Sequence, residues 1–98
     1  MYGLIGKMQA VAGKRDELLG IMLADVSEMP GCLSYVIATD PTDADGIWIT
    51  EVWDNQESHR NSLALASVQA TITKARPLIA GFSNHTETVP IGGLGLNA

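Results

Sequence analysis

The chain has 98 residues, the size of one compact domain with a single core. Hydrophobic residues make up 46% of it and charged residues 17%, which is too apolar for a disordered protein. A net charge of -5 disfavours binding to nucleic acid phosphates or anionic lipids, so we expect neither nucleic acid nor a membrane as partner. Because the sequence has no apolar run of roughly 18 residues and no signal-peptide pattern, we also expect a cytoplasmic location.

Alternating apolar residues predict a first strand from Tyr2 to Ala10. The pattern then changes to helical spacing, which predicts an amphipathic helix from Lys14 to Met29 that Pro30 and Gly31 terminate. Its apolar stripe consists of Leu18, Met22, Val26 and Met29.

Two further strands, Cys32 to Thr39 and Ile47 to Trp53, are joined by a short polar turn that contains proline and glycine. This pattern predicts an antiparallel hairpin. Asp54 is then followed three residues later by Glu57, a capping-box pattern that predicts a helix beginning at Asn55.

The second helix carries a stripe through Val68, Ile72, Ala75 and Ile79, and Pro77 should kink or close it. A last strand is predicted from Gly81 to Val89. The order β-α-β-β-α-β is that of the split βαβ, ferredoxin-like α+β fold, in which both helices cover one face of an antiparallel sheet. We assign residues 1–90 to this domain and residues 91–98 to a flexible tail or an arm on a dimer partner.

Both faces of the predicted hairpin are apolar. Trp48 and Val52 alternate with Ile47, Ile49 and Trp53 along one strand. Since the helices cover only one face, another sheet is expected to cover the second. The pattern therefore predicts a homodimer, a dimeric α+β barrel with Trp48 at the interface.

The junction between the third strand and the second helix carries the candidate site. Trp53 ends the strand, where its ring can cap the core or stack on a flat ligand, and Glu51 shares its face. His59 follows on the helix, where it is either a general base or a solvent-exposed residue. Ser62 lies on the face of His59, and Tyr35 shares a face of its strand with Leu33 and Ile37. We predict His59 as catalytic and Trp53, Tyr35, Glu51 and Ser62 as substrate-binding.

Metal binding has little support in the sequence. Cys32 is the single cysteine, so a four-thiolate site cannot form, and a buried apolar role is the commoner one for such a thiol. His59, His85 and Glu51 lie on separate predicted elements and lack metal-ligand spacing, and the parity of His85 favours exposure. We predict no metal.

Three stretches, "VAGKRDEL" (11–18), "MPGCLSY" (29–35) and "TEVWDNQESHRNSL" (50–63), resemble the antibiotic biosynthesis monooxygenase family, dimeric α+β barrels of the ferredoxin-like class. The resemblance spans about Tyr2 to Val89. Many members carry A-H-x-x-[ST]-x-H after the tryptophan, whereas this chain has no histidine from Asn61 to Ser67.

The resemblance implies a monooxygenase that oxidises a small quinol or hydroxylated aromatic with O2 and needs no flavin, haem or metal. The deprotonated substrate would supply the electrons, and the protein a dry pocket, a base and orientation. The alternatives are a non-catalytic small-molecule-binding or stress-response module on the same scaffold, and a proton-transfer enzyme that uses His59.

Overall fold

A computed structural model describes residues 1–24 and 29–96. Four strands form one sheet: β1 (Tyr2–Ala10), β2 (Cys32–Thr39), β3 (Gly46–Trp53) and β4 (Ile79–Thr88). Three helices accompany them: α1 (Arg15–Ala24), α2 (Gln56–Ser62) and α3 (Ala66–Ala75), the last followed by a 3₁₀ turn, Arg76–Leu78. The sheet order is β2-β3-β1-β4 with all neighbours antiparallel, which confirms the ferredoxin-like α+β fold.

The register of the central strands separates an inner face, toward the helices, from an outer face. Leu4 pairs with Glu51 and Met8 with Ile47, so alternate residues of β1 and β3 point toward the helices. The buried core comprises Met8, Ala10, Leu18, Ile47 and Ala75. Leu18 of α1 and Ile47 of β3 are fully buried, so helix and sheet meet at these two side chains.

A bulge at the start of β2 changes the sheet face on which Cys32 lies, compared with the prediction. Cys32 pairs with Trp53, yet Ser34 pairs with Val52, so Leu33 is an extra residue in the ladder. Cys32 therefore lies opposite the inner-face residue Trp53, whereas strict alternation placed it with Val36 on the outer face. From Tyr35 onward the alternation is regular.

The predicted first helix is longer than α1. Its described part ends at Ala24, and Met29 is not helical. Val26 lies outside the described residues. Leu18 faces the core as predicted, with Met22 packed beside it.

The region predicted as one second helix forms two. The amides of Leu63, Ala64 and Leu65 each bond the carbonyl three residues back, which tightens and ends α2, and α3 begins after the extended residue Leu65. Pro77 lies in the 3₁₀ turn after α3, as expected of a residue that closes a helix. Ile79 is not on the helix but begins β4.

The cap of α2 is Asn55 rather than Asp54. The Asn55 backbone is extended, and its side-chain oxygen accepts a 2.8 Å hydrogen bond from the Ser58 amide. The Asp54 carboxylate instead accepts from the amide of Asn55. Gly31, with φ of +85°, packs against this start of α2, since an added Cβ would lie 2.6 Å from Asp54 Oδ1.

The outer face carries apolar side chains and one ionic network. Ile5 is 37% exposed and Val36 52%. The network, here called the hairpin network, comprises Lys7, Gln9, Asp40, Asp43 and Trp48. Lys7 Nζ lies 3.1 Å from Asp40 Oδ2 and 3.0 Å from Asp43 Oδ2. The Trp48 indole donates to Asp40 at 2.9 Å, so this predicted interface residue also holds the β2–β3 turn.

Strand β4 is irregular and leads into the tail. Its pairing with β1 shifts register between Ile5 and Lys7, and Asn84, in this segment, has φ of +51°. Pro90 then packs against Gly3, where an added Cβ would collide with the ring of Pro90 and the hydroxyl of Thr88. Residues 91–96 form no strand or helix. Among the helices of residues 1–24 and 29–96, none has the length and apolarity needed to span a membrane.

The hairpin network predicts a specific loss of stability in acid. The amide of Thr42 and the indole of Trp48 hold the pKa of Asp40 well below its usual range, and hydrogen bonds from Gln9 and Lys7 lower that of Asp43 to about 2. Groups with depressed pKa values stabilise the fold above their unfolded value, near pH 4, and this contribution is lost as pH falls toward the folded value.

We therefore expect Asp40→Asn to be less stable than wild type at pH 7 and the difference to shrink as pH falls from 4 to 2, measured by urea unfolding at each pH. Glu17→Gln is the control, because the Lys14–Glu17 pair is solvent-exposed and contributes little. A stability difference between wild type and Asp40→Asn that is constant across this range would contradict the assignment.

Candidate functional site

A cavity of about 610 Å³ lies between the inner face of the sheet and the helices. Strands β2 and β3 form part of its floor, and side chains of α2 and α3 form part of its wall. Its apolar lining includes Met8, Met22, Met29, Ile37, Ile49, Leu63, Val68, Ile72 and Ile79. A lining of this kind favours a ligand with a large apolar surface.

All five residues predicted for the site line this one cavity: His59, Trp53, Tyr35, Glu51 and Ser62. The strand register explains three of them, since Tyr35 pairs with Glu51 across β2 and β3, and Trp53 is two residues further along the same face. His59 and Ser62 are three residues apart on α2, so they approach from the same helix face.

Glu51 and Trp53 are joined by a hydrogen bond. The Trp53 Nε1–H donates to Glu51 Oε1 at 3.1 Å, and Trp53 is only 1% exposed. The indole therefore both fills the core and lines the cavity, so the two interpretations of Trp53 are compatible. Its bond to the carboxylate fixes the ring orientation and offsets part of the cost of holding a charge near apolar groups.

His59 is less exposed than a surface helix residue. Its side chain is 22% exposed, and its Nε2 lies 3.9 Å from Glu51 Oε1. Its ring contacts Trp53 edge-on, with centroids 5.3 Å apart, and the Tyr2 ring at 5.7 Å. His59 is therefore half-buried rather than fully exposed, because its imidazole lies between the rings of Tyr2 and Trp53.

Ser62 and Tyr35 offer different polar groups. Ser62 is 4% exposed, and its hydroxyl already donates to the His59 carbonyl at 2.6 Å. Within the described part of the chain, the Tyr35 hydroxyl has no hydrogen-bond partner. Burial, together with the nearby charge of Glu51, raises the pKa of Tyr35 well above its usual value of 10.0. Tyr35 therefore presents an unengaged phenol donor to the cavity.

The lining residues that sequence reasoning missed include Thr71, Arg76 and Phe82. Arg76 lies in the turn before β4 and Phe82 lies in β4, and both reach the cavity only because β4 pairs with the distant strand β1. His85 is exposed and does not line the cavity. Within residues 1–24 and 29–96, no three His, Cys, Asp or Glu side chains are grouped closely enough to hold a metal ion.

Fold and cavity together define a ferredoxin-like α+β protein with an apolar pocket on the helix side of its sheet. Residues 1–74 match the family described as antibiotic biosynthesis monooxygenase, and the chain belongs to that family. No curated protein matches the sequence.

Several solved structures share the fold. A protein from Chloroflexus aurantiacus J-10-fl that carries the family's name is 60% identical, with 98% of each chain covered and a TM-score of 0.93. One from Deinococcus radiodurans, also bearing that name, is 25% identical, covers 100% of this chain and 98% of its own, and has a TM-score of 0.71. A cofactor-independent oxygenase from Streptomyces nogalater is 16% identical over 95% of each chain, with a TM-score of 0.76, a likeness of fold alone.

The raised pKa of Tyr35 predicts a change in alkaline stability. An acid whose folded pKa exceeds its unfolded value stabilises the fold below the unfolded value, near pH 10, and this contribution is lost as pH rises toward the folded value. We expect wild-type stability to fall above pH 10, and Tyr35→Phe to lack this part of the loss.

The two tyrosines can be titrated one at a time, because Tyr2→Phe leaves only Tyr35 and Tyr35→Phe leaves only Tyr2. In Tyr2→Phe, the ultraviolet absorbance of phenolate should appear only as the protein unfolds in alkali. Phenolate formation near pH 10 in a protein that circular dichroism shows to be folded would contradict the buried environment of Tyr35.

Proposed function

We propose that the protein is a cofactor-independent monooxygenase that oxidises a small quinol or hydroxylated aromatic with O2 inside the described cavity. The observation that carries the proposal is the convergence of Glu51, Trp53, His59 and Tyr35 on one corner of an otherwise apolar cavity. The name of the Streptomyces nogalater neighbour, a cofactor-independent oxygenase, supports the same reaction class.

The first step of the proposed reaction is loss of a phenolic proton. His59 Nε2 accepts it, and Glu51, 3.9 Å away, stabilises the imidazolium that forms. Glu51 also accepts a hydrogen bond from the Trp53 indole, so one carboxylate orients both the base, His59, and the aromatic wall, Trp53. At 22% exposure, His59 can then pass the proton to solvent.

The second step is electron transfer from the phenolate to O2. The resulting radical pair combines at a ring carbon to give a peroxide anion, which takes a proton from solvent to form a hydroperoxide. The hydroperoxide loses water and leaves a carbonyl, so one oxygen atom enters the product and the other becomes water. A hydroquinone thus yields a hydroxyquinone, with all electrons supplied by the substrate. The apolar lining and the Tyr35 hydroxyl hold the ring and exclude water during this step.

We further propose that the protein works as a homodimer in which two outer sheet faces pack together. Ile5 and Val36 are exposed on this face, and the hairpin network neutralises the charge of Lys7 with two aspartates. Exposed apolar groups of this kind favour contact with a second copy. The free thiol Cys32 is compatible with the cytoplasm, where we place the reaction.

The reaction is tested by oxygen uptake with a panel of hydroquinones and no added cofactor. His59→Ala should lower turnover about a hundredfold or more with little change in ligand affinity, because a general base acts on the transition state. His85→Ala is the matched control, since His85 is exposed outside the cavity. Unaltered turnover in His59→Ala would remove it as the base. If a ligand raises the melting temperature of the wild-type protein but no oxygen is consumed, the alternative of a non-catalytic binding module is favoured.

The dimer is tested by sedimentation at micromolar concentration. Val36→Glu should dissociate it, because an unpaired charge buried at an apolar interface costs several kcal/mol. Val36 is a cleaner position than Trp48, whose indole is also bonded to Asp40. Leu23→Glu is the control, since Leu23 is 56% exposed on α1, away from the sheet's outer face. A stable wild-type monomer would contradict the proposal.

A further inference from the structure

A second polar feature lies at the β4 side of the cavity. Arg76, in the 3₁₀ turn after α3, lines it with an exposed side chain, and Phe82 of β4 lines it at 73% exposure. Phe82 pairs with Met8 of β1, whereas Glu51 pairs with Leu4. Four residues along a strand span about 13 Å, so Phe82 and Glu51 lie in distant parts of the cavity. We call Arg76 and Phe82 the rim pair.

Arg76 contributes a positive charge to the cavity lining. Within the described residues, no carboxylate lies within ion-pairing distance of its guanidinium. The other ionisable groups that line the cavity are Glu51, His59 and Tyr35, all at the proposed reaction corner. Arg76 lies just before Ile79, which pairs with Ala10, at the end of β1 far from Leu4 and Glu51. Among the described residues, the cavity therefore has a cation without an ion-pair partner at one end and a carboxylate with an imidazole at the other.

Helix polarity alone does not account for this position. Lys74 already provides a cation in the last turn of α3, and it does not line the cavity. The chain as a whole carries a net charge of -5, which repels anions from its surface. An arginine facing an apolar cavity in such a protein offers a local site for a planar anion, which its guanidinium binds in a bidentate manner.

We propose that the substrate of this cavity is a hydroxylated aromatic carboxylate whose carboxylate binds Arg76 while its hydroxyl lies near His59. Phe82 forms the apolar wall beside the bound acid. This inference rests on the proposed function, since it concerns the same cavity. It adds that the substrate is an anion and that Arg76 selects for its charge.

The test compares two probes of nearly equal shape by titration calorimetry: 6-hydroxy-2-naphthoic acid and its uncharged methyl ester. Wild type should bind the acid about five- to tenfold more tightly than the ester, since one charge-assisted pair at a partly exposed site distinguishes them. Arg76→Gln should abolish this preference and leave ester binding unchanged. Arg76→Lys should retain part of it, because lysine keeps the charge but not the planar fork.

Lys74→Gln is the matched control, because it removes a neighbouring cation outside the cavity and should keep the full preference. The preference of wild type should also weaken at high salt, as expected for a screened ion pair. Equal affinity for acid and ester in wild type, or a preference that survives in Arg76→Gln, would overturn the inference. If either result is found and neutral hydroquinones are still oxidised, the proposed reaction stands without charge selection by Arg76. If neither probe binds, both proposals are contradicted: that the cavity binds a flat aromatic compound, and that Arg76 selects for a negative charge.

Discussion

The register of β3 between its two neighbours is the constraint on which the rest of the structure depends. Side chains alternate with a period of two, so a slip of one residue would turn Ile47 and Trp53 from the helices to the outer face. The same slip would move Glu51 out of the cavity. Core and candidate site are therefore specified by one set of backbone hydrogen bonds, with apolar residues at one end of the strand and the polar pair at the other.

This arrangement places an ionisable group where it is costly. Glu51 is 17% exposed and faces an apolar cavity, a position in which an isolated carboxylate would be strongly disfavoured. The Trp53 indole offsets part of that cost, and His59 Nε2 lies 3.9 Å from the carboxylate. Groups held in this way are poor contributors to stability and common at functional sites. The strand thus carries a polar pair at one end and core residues at the other.

Much of the fold could be predicted because its signals are local. Tyr2 to Ala10 and Cys32 to Thr39 were bounded correctly by alternation and by turn residues. The break at Leu63–Leu65 was not predictable in this way, since leucine and alanine are good helix formers and only the tertiary packing ends α2 there. Asn55 was missed as the cap because Asp54, its neighbour, fits the same pattern.

In the candidate site, too, local sequence patterns predicted some residues and missed others. Glu51, Trp53 and Tyr35 could be grouped from strand parity, and His59 from its place after the junction. Arg76 and Phe82 could not, because they meet the others only when β4 pairs with β1, far away in the chain. Likewise the enclosure of His59 depends on Tyr2, which lies near the start of the chain and far from His59 in sequence. Sequence pattern therefore identified the contributions of neighbouring strands and missed those of the sheet edge.

The irregular pairing of β4 has a consequence for solubility. An open four-stranded sheet leaves an edge whose free amides and carbonyls can recruit a strand from another molecule. The register shift opposite Ile5 and Lys7, with the left-handed Asn84 beside it, interrupts that edge and adds twist. A bent edge is a poor template for strand addition, so the register shift disfavours uncontrolled association through β4, while the outer face of the sheet stays available for specific contacts.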